Sequence, residues 1–62
     1  MPQYKLERFT NGVPKFVGDL THQIIRENKL DINAKQKSEL MTDIYQCKEE
    51  YFILDPNKYQ NL

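Results

Sequence analysis

Between residues 33 and 54 the chain reads NAKQKSELMTDIYQCKEEYFIL, without glycine or proline. This stretch limits the fold more than any other. Leu40, Ile44, Cys47, Tyr51 and Leu54 recur at steps of four, three, four and three. That spacing puts them on one stripe of a helix, and Met41, Tyr45 and Phe52 widen the stripe on one flank. Asn33 followed by Gln36 is a capping box for its start, with Asp31 as the other candidate cap. Asp55 before Pro56 ends it, because the residue preceding proline avoids helical geometry. The spacing therefore predicts a helix over residues 33–54.

A second helical pattern covers residues 13–30, where Val13, Phe16, Val17, Leu20 and Ile24 share one face. Thr10 or Asn11 can cap it, and Pro14 is tolerated in a first turn. Gly18 weakens it by about 1 kcal/mol relative to alanine. The competing start is at Asp19 or Thr21, which leaves residues 13–17 extended and free to pair with residues 3–9. In residues 3–9, Tyr4 and Leu6 alternate with Gln3, Lys5 and Glu7, the mark of a short strand or arm. A connection as short as Leu30 to Asn33 makes the two helices antiparallel neighbours. Residues 55–62 read as a polar tail in which Tyr59 and Leu62 are the apolar exceptions.

Sixty-two residues make one domain, spanning 1–62. A chain this short buries only about 60% of the surface it exposes when unfolded. Its one cysteine, Cys47, excludes an internal disulfide, and with the one histidine, His22, it gives too few ligands for a structural zinc. No cofactor is expected. Association is the remaining supplement to stability. The second helix supplies the expected interface or core through Leu40, Ile44, Cys47, Tyr51 and Leu54. The fold class expected is all-α: a two-helix antiparallel hairpin with a short N-terminal arm, dimerising into a four-helix bundle.

Nine Lys and Arg balance nine Asp and Glu, which does not indicate a strongly basic nucleic-acid binder. No apolar run approaches the roughly 20 residues that cross a bilayer, and no signal peptide is evident. A cytoplasmic setting is expected from that and from the lone cysteine.

Individual residues point away from catalysis. His22 lies three residues after Asp19, yet it falls opposite Leu20 and Ile24 on the helix wheel, facing solvent. No nucleophile is placed to meet it, so the protein is expected not to be an enzyme. Cys47 sits within the apolar stripe and reads as a small hydrophobe. Ile25, Tyr45, Phe52, Tyr59 and Leu62 are the candidate partner surface, aromatic anchors being common in interfaces. Lys35 and Lys37 open the second helix and Glu49 and Glu50 lie near its end, against the helix dipole at both ends. A second copy running antiparallel would answer both. A bound anion near Arg26, Lys29, Lys35 and Lys37 would answer the first.

The order of elements (strand, helix, turn, helix), beginning with MPQYKL at residues 1–6, resembles the ribbon-helix-helix repressors. The resemblance implies a strand that pairs across a dimer and reads the DNA major groove through Gln3, Lys5 and Glu7. It also implies a backbone phosphate anchored at the second helix, where Lys35 stands. The function expected first is a small non-enzymatic protein-binding module, an adaptor or inhibitor acting as a homodimer. The alternative is a DNA- or RNA-binding transcriptional regulator of ribbon-helix-helix type.

Overall fold

The computed structural model describes residues 1–59. In chain order it holds β1 (Gln3–Lys5), α1 (Val17–Glu27), α2 (Ala34–Gln46), β2 (Tyr51–Ile53) and α3 (Pro56–Tyr59). The fold is thus mixed α/β: two longer helices, a short third one and a two-stranded antiparallel sheet. It departs from the all-α hairpin expected, and the departures lie at both ends of the chain.

The first concerns residues 51–54. Helical steps of three and four fit Tyr51 and Leu54, but a period of two fits the same segment. Phe52 and Leu54 are buried while Tyr51 and Ile53 are exposed. Aromatic and β-branched side chains suit a pleated strand, and β1 provides the pairing, with Tyr4 opposite Phe52. Leu6 N–H donates to the Glu50 carbonyl (2.8 Å) and Leu54 N–H to the Pro2 carbonyl (2.9 Å), extending the ladder both ways. Helix α2 accordingly stops at Gln46, and Cys47 at its C-cap is already extended (φ −64°, ψ 126°). The expected helix over 33–54 is therefore two elements. The ribbon-helix-helix order is also departed from, because β1 takes its partner from a strand of its own chain that follows the second helix.

The second departure is in residues 13–16, where the longer of the two expected first helices does not form. Phe9 N–H donates to Val13 O and Lys15 N–H to Glu7 O, both at 2.8 Å. These bonds flank the Arg8–Pro14 bridge, so Pro14 occupies a non-bonded position where no N–H is required. Gly12, at φ 86°, closes the turn. Phe16 then adopts a left-handed conformation (φ 55°, ψ 38°) and redirects the chain into α1. Neither Asp19 nor Thr21 is the cap.

The expected capping box is present: Gln36 N–H donates to Asn33 Oδ1 (2.8 Å), and Asn33 N–H to Gln36 Oε1 (2.9 Å). Helix α1 ends in a Schellman motif. Leu30 N–H reaches the Ile25 carbonyl (3.0 Å) and Lys29 N–H the Arg26 carbonyl (3.4 Å), with Lys29 left-handed at φ 51°. Within the expected tail, Pro56–Tyr59 form helix α3. Asp55 caps α3 by accepting from Asn57 N–H (3.2 Å), and Pro56 takes the first helical position, where its missing N–H costs nothing. Leu62, expected on the partner surface, lies outside the described residues.

Leu6, Ile24, Leu30, Leu40, Ile44, Phe52, Leu54 and Tyr59 form the core, drawn from every element or its flank. Thr21 is fully buried among them and donates its hydroxyl to the Val17 carbonyl (2.7 Å). Tyr4 ties the sheet to α1. Its hydroxyl donates to Glu27 (3.0 Å) and accepts from Asn28 Nδ2 (2.9 Å).

Lys29 occupies a position that favours glycine, and a left-handed L-residue costs about 1–2 kcal/mol. Glycine's extra unfolded-chain entropy offsets part of the gain. Lys29→Gly should therefore raise stability by about 0.5–1 kcal/mol, read as an upward shift of the urea midpoint at unchanged slope.

Candidate functional site

The sheet has an inner and an outer face set by its register. Leu6–Glu50, Tyr4–Phe52 and Pro2–Leu54 are bonded pairs, so Gln3–Ile53 and Lys5–Tyr51 are the non-bonded ones. Their backbone groups point to the sheet's two edges, and their side chains rise from the outer face. Ile53 is 60% exposed and Tyr51 is 40% exposed. With Gln3, Glu49 and Glu50 they border an open groove of about 350 Å³. Lys5 lies 3.9 Å from Glu50 at its edge.

A second apolar surface runs along α2. Ser38, Met41, Thr42 and Tyr45 recur at steps of three, one and three and join Val17 of α1 around an open groove of about 380 Å³. Tyr45 is 55% exposed, and Phe16, just before Val17, is 67% exposed.

The expected site residues divide differently from the sequence reading. Leu40, Ile44 and Leu54 are fully buried within this one chain, so they form its own core and leave nothing for a second copy to cover. Cys47 is half-buried, and its Sγ lies 3.8 Å from the Tyr51 carbonyl. Tyr51 belongs to the outer sheet face. Of the expected partner surface, Tyr45 is exposed, Ile25 is half-buried against the core, and Phe52 and Tyr59 are buried. Phe52 faces inward because strand alternation, not helix rotation, orients it. Ile53 is a surface residue that helical periodicity passed over, and Phe16, expected on the apolar face of the first helix, is instead exposed because its left-handed conformation precedes α1. Alternation of Tyr51 and Ile53 against Phe52 and Leu54 was the signal for the first.

Arg26, Lys29 and Lys35 are exposed and Lys37 is half-buried. All four flank the α1–α2 connection. Among the described residues their side chains take part in no ion pair or hydrogen bond. Arg8 behaves otherwise. Its guanidinium donates to the carbonyls of Gly12 (3.3 Å), Cys47 (3.0 Å) and Glu49. A cation thus meets the negative end of α2, and Glu49 and Glu50 lie beyond that helix rather than in its last turn.

Asp43 holds α3 in place. The Tyr59 hydroxyl donates to its carboxylate, and Lys58 Nζ pairs with the same oxygen at 3.0 Å. Burial pushes the Asp43 carboxyl upward, but the Tyr59 and Lys58 contacts outweigh it and the pKa falls below its ordinary value. Burial, then the Asp43 contact, raise Tyr59 well above the usual phenol value. Burial also raises Tyr4, with Asn28 opposing and Glu27 adding.

Among the described residues no three His, Cys, Asp or Glu side chains gather as a metal site, and no helix is long and apolar enough to cross a membrane. Comparison with protein-family models, curated proteins and solved structures gives no match.

The depressed Asp43 pKa fixes the sign of a pH effect. Its contribution is fully present above the unfolded value of about 3.9 and is lost as pH falls through the lower folded value. Asp43→Asn should cost about 1–2 kcal/mol at neutral pH. Thermal unfolding should show the gap between variant and wild type closing as the pH drops below about 4.

Proposed function

We propose that this chain is a non-enzymatic protein-binding module, an adaptor or inhibitor, whose outer sheet face receives its partner. The observation that carries this is the exposed pair Tyr51 and Ile53, two residues apart on one strand and bordering one groove. Nothing in the chain's own packing requires apolar side chains there. The inner face of β2 is satisfied by Phe52. An aromatic and a β-branched side chain together give a partner area to bury at small entropy cost, and fully covering each is worth about 1.5–3 kcal/mol. The outward backbone groups of Ile53 add hydrogen-bonding capacity at the edge, the basis of strand-addition binding. A single thiol and no disulfide suit work in a reducing cytoplasm.

The four cations around the α1–α2 connection favour a second reading, in which that corner binds nucleic acid. Phosphate neutralisation releases counterions, so such binding would weaken steeply with salt.

Ile53→Glu places a charge at an exposed position and should change stability by no more than about 0.5 kcal/mol. Purified from its native cell with and without nuclease, the wild-type chain should retain a protein partner that Ile53→Glu loses. Equal recovery by both forms would refute the sheet face as the site. Under the second reading, the double change Lys35→Ala and Lys37→Ala should instead abolish a salt-sensitive, nuclease-sensitive association that Ile53→Glu leaves intact.

A further inference from the structure

We propose that the groove between β1 and α1 takes an extended segment of a partner protein, which adds as a strand to the free edge of β1 and carries a lysine or arginine side chain. This groove lies on the opposite edge of the sheet from β2. It stands apart from the outer sheet face, so either site can fail without the other.

Along residues 2–9 the even positions turn their backbone groups toward β2. Pro2, Tyr4 and Leu6 pair there with Leu54, Phe52 and Glu50. The odd positions turn theirs to the other edge. On that edge a third strand begins and stops. Phe9 N–H and the Glu7 carbonyl bond to residues 13 and 15 around the Arg8–Pro14 bridge. Continued in the same register, the chain would set Val17 against Lys5. Instead Phe16 turns left-handed and Val17 opens α1. Among the described residues, the N–H of Glu7 and both backbone groups of Lys5 are left without a partner. An edge of this kind pairs with an extended chain, whereas a helix has no free backbone groups to offer it.

Helix α1 stands across from this edge. Its Asp19, Leu20 and Gln23 face Lys5 and Glu7 over a groove of about 260 Å³. Leu6, Phe16 and Leu20 give the groove apolar surface. Four charged residues line it, and they are not equivalent. Lys5 lies 3.9 Å from Glu50, and Lys15 Nζ stands 5.4 Å from the centre of the Phe9 ring. Both ammonium groups thus have an answer within the chain. Glu7 and Asp19 are exposed, and among the described residues their carboxylates make no ion pair or hydrogen bond. The charge left unanswered in the groove is negative. A lysine or arginine on the incoming strand answers it with charge-assisted hydrogen bonds, and an acidic segment is repelled.

Short linear peptides of randomised sequence, selected on the immobilised full chain, should converge on segments that carry lysine or arginine and no proline where they pair with the edge. A selected peptide, titrated into the isotope-labelled chain, should shift the amides of Lys5, Glu7 and residues 19–23. It should also slow hydrogen exchange at the N–H groups of Lys5 and Glu7. Methylating its backbone nitrogens one at a time should weaken binding at every second position only, the period of a strand. Glu7→Gln with Asp19→Asn should weaken it about tenfold, and Glu7→Gln alone, which leaves the first turn of α1 intact, about threefold. Selection that enriches nothing over bare resin overturns the proposal. So do enriched peptides without a basic residue, binding that the double variant keeps in full, or a titration that moves Tyr51 and Ile53 in place of Glu7 and residues 19–23. Amides of Lys5 and Glu7 that shift with protein concentration alone also overturn it, because a second copy then holds the edge.

Discussion

The fold turns on one guanidinium. Arg8 donates to carbonyls of Gly12, Cys47 and Glu49, and so joins the turn after β1 to the chain leaving α2. The Cys47 carbonyl belongs to the C-cap of α2, and the Glu49 carbonyl to the chain that follows. By satisfying them the arginine holds the extended segment that leaves α2 at Cys47 against the turn after β1.

Helix ends explain the charge order of α2 as well. A dipole reversal demands an external answer only when the helix is taken to run to Leu54. Ending it at Gln46 moves Glu49 and Glu50 out of the last turn, and Arg8 supplies the positive charge that belongs there. At the other end, Asn33 and Gln36 satisfy backbone donors reciprocally, so the two lysines sit beside an already capped terminus. Exposed charges of this kind contribute little to stability, which leaves them available for solubility or for binding.

What could be read from the sequence was local. The capping box at Asn33 is a matter of two residues three apart, and the alternation of Tyr4 and Leu6 against Gln3, Lys5 and Glu7 is the period of a strand. Both appear in the structure. What could not be read depends on distant parts. Tyr51 to Leu54 satisfies helical and strand periods alike, and only the presence of β1, some 45 residues earlier, decides between them. The outer sheet face followed that decision: once residue 52 turns inward, residue 53 turns outward. The left-handed turn at Phe16 leaves no mark in composition, since aromatic residues seldom adopt it. Residues 13–15 form a bridge to residues 7–9 because Pro14 happens to fall where no donor is needed.

The pairing of β1 with β2 bears on how this molecule comes into being. β1 is made before the strand it pairs with, and about 45 residues separate the two. Loop-closure entropy of that order is slow to recover. During synthesis the helices can form and pack, but Tyr4 and Leu6 remain uncovered and the edge of β1 stays open. An unpaired strand edge beside apolar side chains is a template for the wrong neighbour. The growing chain is thus most vulnerable to aggregation between the synthesis of β1 and that of β2, and chaperone contact has most to protect around Tyr4 and Leu6.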